Sequence, residues 1–100
     1  MNAKIKIDRE KIAEFCLRNR IRKLSLFGSV LRDDFGPGSD VDVLAEFKPD
    51  AQFSLFRMVD MEIELSEMLG RKVDLRTPEE LSKYFRDEVV QSAEVQYAQR

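Results

Sequence analysis

Apolar and polar positions along the chain switch between two periods, and each switch marks an element. Ile12, Phe15 and Cys16 recur at helical spacing behind Asp8, a helix-capping residue, which predicts a helix up to about Asn19 that covers a sheet. Lys23-Leu24-Ser25-Leu26-Phe27 is a short apolar-rich run ending in Gly28, read as a strand entering a tight turn, with Ser29 opening a helical turn. Phe35-Gly36-Pro37-Gly38-Ser39 is turn-forming, and the run from Asp40 to Phe47 alternates as a strand does. After the break at Lys48-Pro49-Asp50, a longer helix is expected from about Ser54 to Leu69, closed by Gly70. Lys72-Val73-Asp74-Leu75-Arg76 reads as a further strand. Thr77, Pro78 and Glu80 form a capping-box start to a short helix, and from about Lys83 the positions Tyr84, Phe85, Val89, Val90 and Val95 mark a last helix.

The long helix has an unusual pattern. Its apolar residues, among them Leu55, Phe56, Met58, Val59, Met61, Ile63, Leu65 and Met68, take up well over half the helical circumference, interrupted by Glu62 and Ser66. A helix covering one sheet needs a narrower stripe. The plain expectation is a deeply buried helix; the alternative is a helix with two apolar faces, one on the sheet and one on a partner. The order helix, strand, helical turn, strand, helix, strand, helix implies an α/β (α+β) domain with a small mixed sheet covered by helices.

Length and charge narrow the function. A chain of 100 residues with 43% hydrophobic content suits one domain over 1–100, without room for a second substrate-binding lobe. A net charge of −2, from 17 basic and 19 acidic residues, argues against a dedicated nucleic-acid ligand, since phosphate backbones call for a basic surface. Histidine is absent, which excludes Ser-His and Cys-His catalysis within the chain and zinc held by cysteine and histidine. A lone cysteine, Cys16, and no long apolar run or secretory leader point to the cytoplasm rather than a membrane or an oxidising compartment.

The chemistry lies in Gly28-Ser29, ten intervening residues, then Asp40-Val41-Asp42. Glycine lets a ligand approach the backbone closely, and serine at a helix start offers amide and hydroxyl donors, a combination suited to phosphate. Arg32, three residues further on, could contact the same anion or hold a carboxylate. Asp40 and Asp42 project from one strand face while Val41, Val43, Ala45 and Phe47 face a core. Their Cα atoms would stand roughly 6 to 7 Å apart, a span that suits metal ions about 3.5–4 Å apart. Adjacent like charges favour a counterion, and an all-oxygen set suits Mg²⁺. Asp74 is the obvious third carboxylate if its strand pairs beside that of Asp40. Glu46 shares the parity but lies four positions on, and is read as solvent-facing; Asp33 and Asp34 read as a solvated loop pair.

Leu26 to Arg32, Ser39 to Leu44 and Gly70 to Leu75, in that order and spacing, resemble the polymerase-beta-like nucleotidyltransferase superfamily, and within it the minimal nucleotidyltransferase domains of HEPN/MNT toxin–antitoxin modules. The likeness runs roughly from Ile12 to the last helix. It implies that fold, and in-line attack of a hydroxyl on the α-phosphorus of ATP with pyrophosphate leaving. Asp40 and Asp42 would bridge two Mg²⁺ ions, Asp74 would be a ligand and proton acceptor, and Gly28 and Ser29 would position the β- and γ-phosphates. It further implies a partner, a HEPN ribonuclease toxin that some relatives silence by attaching AMP to a tyrosine. Two alternatives stand beside this: an antitoxin that only occludes its toxin, and transfer to a small molecule, which the lack of a second lobe disfavours. The apolar arc of the long helix is equally compatible with self-association.

Overall fold

The computed structural model describes residues 7–31, 36, 38–51 and 54–99. Helix α1 (Arg9–Arg18) begins at Asp8, whose Oδ1 accepts the backbone N–H groups of Glu10 at 3.1 Å and Lys11 at 3.3 Å. It ends at Asn19, as the sequence pattern predicts. Strand β1 (Ile21–Phe27) passes directly into a 3₁₀ turn, Gly28–Leu31. Strand β2 (Val41–Phe47), helix α2 (Leu55–Leu69) and strand β3 (Val73–Arg76) follow, with Ser54 capping α2 at its start and Gly70, left-handed at φ 67°, at its end. A 3₁₀ turn (Pro78–Glu80), helix α3 (Arg86–Ser92) and strand β4 (Glu94–Ala98) complete the chain.

The four strands lie in the order β3-β2-β1-β4, with β2 and β3 parallel and the other pairs antiparallel. Parallel pairing of β2 with β3 requires a crossover, which α2 supplies. Ile12, Phe15 and Cys16 from α1, together with Met61 and Leu65 from α2, bury one sheet face formed by Leu24, Leu26, Val41, Val43, Ala45, Val73 and Leu75. An ion pair between Arg18 and Glu64 ties the two helices. The small mixed sheet covered by helices is therefore the fold that the sequence implies.

The opposite face carries the polar set. Cross-strand partners share a face, so Phe27, Asp42 and Asp74 lie together, as do Ser25, Leu44 and Arg76 beside them. Leu44 is buried there, apart from the main core, and the turn Pro78–Glu80 packs next to β2.

Three expectations are corrected. The long helix is not deeply buried: only Met61 and Leu65 are fully enclosed, while Leu55 is 80% and Phe56 84% exposed, and Val59 and Ile63 also reach solvent. Its apolar arc exceeds what one small sheet can cover. The last helix neither begins at Lys83 nor reaches Val95. Lys83 to Phe85 form a turn, α3 ends at Ser92, and Val95 belongs to β4. The open edge of β1 takes up this terminal segment, an opportunity that local spacing does not reveal. Glu46, in turn, is not simply solvent-facing: its side chain is 20% exposed and pairs with Arg22 at 3.0 Å.

Candidate active site

The site begins where β1 stops. Gly28 is left-handed at φ 75°, and a Cβ built on it would collide with Oδ2 of Asp42 and lie 3.2 Å from its Cγ. Both facts demand glycine. The close approach follows from register, since Phe27, the residue before Gly28, is the cross-strand partner of Asp42. Ser29 donates its hydroxyl to the Asp40 carbonyl at 3.4 Å, tying the Gly-Ser corner to the chain that leads into β2.

On the other side of β2, the Val41 N–H donates to the Lys72 carbonyl at 2.8 Å and opens the parallel ladder. That register sets Asp42 directly beside Asp74. Asp40 is exposed immediately before β2 and alternates with the fully buried Val41. The turn before it is closed by the Ser39 N–H to the Gly36 carbonyl at 3.0 Å and by the Gly36 N–H to Ser39 Oγ at 3.1 Å. Arg71 donates to that same Gly36 carbonyl at 2.7 Å, so the segments leading into β2 and β3 are fastened to each other.

Asp74 is held from two directions. Arg76 donates to its Oδ2 at 3.1 Å. This hydrogen bond, then the charge of Asp74, and then the charges of Glu80 and Asp42 raise the Arg76 pKa above its ordinary value, placing Arg76 in an acidic field. From the helix side, Ser66 Oγ accepts the Val73 N–H at 3.0 Å and Glu62 Oε2 accepts the Leu75 N–H at 2.8 Å. β3 is an edge strand, and these are the amides flanking Asp74. The two polar residues that interrupt the apolar arc of α2 thus satisfy the open edge of the sheet and fix the strand bearing the carboxylate. Pattern reading missed this role, although the interruption itself was its signal.

The structure therefore joins Gly28, Ser29, Asp40, Asp42 and Asp74 at one end of the β1–β2–β3 ladder. Arg32, Asp33 and Asp34 lie outside the described residues. Among the described residues no three carboxylate, histidine or cysteine groups form a ready metal-binding cluster. The Asp74 carboxylate is engaged by Arg76. A cavity of about 280 Å³ is lined by Asp74, Arg76 and Glu80 opposite Leu55, Met58 and Val59. Another, of about 660 Å³, lies toward the far end of β2, between Glu46, Phe47, Thr77 and Arg86, and touches none of these site residues. No helix among the described residues is long and apolar enough to cross a membrane.

Comparison with known proteins identifies the family and the fold. The model of the nucleotidyltransferase domain family matches residues 9–95. A Methanocaldococcus jannaschii protein, provisionally named a protein adenylyltransferase, is 32% identical over 85% of this chain and 89% of its own length. A solved structure provisionally described as a minimal nucleotidyltransferase superposes with a TM-score of 0.70 at 28% identity, covering 85% of each chain. A chain from the complex of a tri-AMPylated Shewanella oneidensis HEPN toxin with its MNT antitoxin shares the fold, with a TM-score of 0.64 at 19% identity over 91% of this chain and 70% of that one. Kinship of that extent, over a fold that brings the Gly-Ser corner against the paired aspartates, means that this chain belongs to the nucleotidyltransferase domain family and that its reaction is nucleotidyl transfer.

Proposed function

We propose that the chain is an antitoxin that transfers AMP from ATP to a tyrosine hydroxyl of a HEPN-type toxin. The observation that carries this reading is the register of Asp42 with Asp74 beside a Gly28 that has no room for a side chain. The provisional adenylyltransferase name of the M. jannaschii relative and the AMPylated toxin in the S. oneidensis complex support the choice of nucleotide and acceptor.

The donors suit Mg²⁺. Asp40, Asp42 and Asp74 present hard oxygens only, and the charges of Asp74, Glu80 and Asp42 act together on Arg76, which supports binding of a cation at this end of the sheet. These three residues would hold two ions. When bound, the ions stabilise charge on the triphosphate and lower the pKa of the attacking hydroxyl.

The chain's own residues supply alignment. Gly28 and Ser29 bind the β- and γ-phosphates at the corner where the missing Cβ gives access to the backbone, and Arg32, three residues after Ser29 in the sequence, contacts the same anion. The acceptor oxygen forms a bond to the α-phosphorus while the bond from that phosphorus to the bridging oxygen breaks, and pyrophosphate leaves. Asp74, carried on the strand fixed through Glu62 and Ser66, accepts the hydroxyl proton once it leaves Arg76.

A second reading, occlusion without transfer, is favoured by one observation, the exposed apolar face of α2. One experiment separates the two. The purified chain is mixed with labelled ATP, Mg²⁺ and the product of the adjacent reading frame; covalent label on that neighbour is expected, and inhibition without label supports occlusion. Replacing Asp40 and Asp42 together by alanine should abolish labelling with circular dichroism unchanged. Undiminished AMP incorporation by that variant rejects the site.

A further inference from the structure

The apolar side chains that α2 leaves in solvent lead directly into the site. Leu55, Met58 and Val59 form one wall of the cavity whose other wall is Asp74, Arg76 and Glu80. Phe56, Val59 and Ile63 are all exposed, and their spacing puts them in one row along the helix. An apolar row of this kind on a small domain marks an interaction surface.

Charge and position identify what covers it. The groove lining carries Glu62, Asp74 and Glu80 against the one cation Arg76. A triphosphate would be repelled by that rim and would gain nothing from an aliphatic helix face. A protein segment with apolar side chains flanked by lysine or arginine matches both features. Because Asp74 forms part of the groove wall, whatever lies in the groove is delivered to the candidate proton acceptor.

We propose that the α2–β3 groove docks the acceptor protein, through a segment whose apolar side chains cover Leu55, Phe56 and Val59 and whose basic residues face Glu62 and Glu80. The inference rests on the reading of this chain as a protein-directed transferase. A domain of this size cannot enclose its acceptor, so affinity must come from contacts outside the reacting atoms. The helix face beside the catalytic end of the sheet supplies them.

Phe56→Asp and Val59→Asp change side chains that are 84% and 46% exposed and lie outside the buried core, so the fold should survive. The full chain and both variants are compared for binding of ATP with Mg²⁺ by calorimetry, for co-elution with the product of the adjacent reading frame, and for transfer of label to it. Nucleotide binding is expected to stay within about twofold, while the KM for the acceptor rises at least about tenfold and co-elution is lost, a drop corresponding to removal of an anchoring side chain from an interface. Normal acceptor labelling by both variants overturns the docking proposal and leaves the transferase reading intact. If the wild-type chain binds the neighbour without labelling it, the transferase reading fails, and loss of that complex in the variants still supports the docking face. Variants that dissociate a homodimer yet label the acceptor normally overturn the proposal and assign the face to a second copy.

Discussion

Glu62 offers the sharpest test of how the helix holds the site. Its Oε2 accepts the Leu75 N–H at 2.8 Å, and Leu75 is only 5% exposed on the edge strand that carries Asp74. Replacing Glu62 by alanine removes a charge-assisted hydrogen bond, worth about 1.5–3 kcal/mol, and leaves an amide without its acceptor. Glu62 borders the groove, so water can take over part of the role, and the lower half of that range applies: about 2 kcal/mol. Alanine is the better helix former by a few tenths of a kcal/mol, so a loss of stability cannot come from α2 itself. With a urea m-value of about 1–1.5 kcal/mol/M for a domain of this size, the midpoint should fall by roughly 1.5 M. Glu62→Gln keeps an acceptor oxygen and should lose about half as much. Hydrogen exchange at Leu75 should quicken in the same order, and label transfer should fall both through kcat, because the backbone bearing Asp74 is released, and through the acceptor's KM, because the groove loses a carboxylate. Unfolding of Glu62→Ala within about 0.3 kcal/mol of wild type, with Leu75 still protected, would refute the clamp.

The other predictions concern the corner, the ion pair and the core. Gly28→Ala forces a side chain into a left-handed residue at a cost of about 1–2 kcal/mol before the collision with Asp42 is counted; adding Asp42→Ala should restore part of the loss, with a coupling of about 0.5–3 kcal/mol in a double-mutant cycle, and strict additivity would argue against the contact. Arg76→Met removes a half-exposed ion pair and should change stability by less than about 1 kcal/mol. The same change frees Asp74, so Mn²⁺ should bind several-fold more tightly by calorimetry, whereas weaker binding would show that Arg76 helps rather than competes. Burial pushes the Cys16 thiol up to about 12 from 9.0. The folded chain then keeps a proton that the unfolded chain releases, so the stabilisation is complete below pH 9 and is lost as pH rises from about 9 toward 12, by about 1.4 kcal/mol per pH unit. Cys16→Ala should flatten that alkaline slope, measured by urea unfolding at pH 8, 9 and 10; an unchanged slope would assign it to other groups.

Most of the scaffold was legible because its signals are local. Asp8, Ser54 and Gly70 each satisfy backbone groups within a few residues of themselves, so the limits of α1 and α2 follow from short-range chemistry. The strands of Leu24 and Val41 are legible for a similar reason, the first from a short apolar run closed by Gly28 and the second from alternation. The last strand was not. Glu94 to Ala98 buries Gln96 and leaves Val95 partly exposed, so its hydrophobic pattern runs against its burial, and only the vacant edge of β1 makes it a strand. The long helix failed differently: its apolar arc was read correctly, but whether so wide an arc is buried depends on how much protein lies around it.

What the sequence determined by itself was the identity and order of the candidate site residues. A glycine at a strand end before a serine, and two aspartates at strand parity, are properties of neighbouring residues, and no tertiary contact is needed to recognise them. What only tertiary structure decided was which distant residues meet them. Asp74 joins Asp42 through the parallel register, and Glu62 and Ser66 become strand clamps because α2 crosses there. Spacing along a chain fixes geometry over a few residues, whereas contacts across thirty or more depend on how the whole core packs, and that information is distributed over every side chain in it.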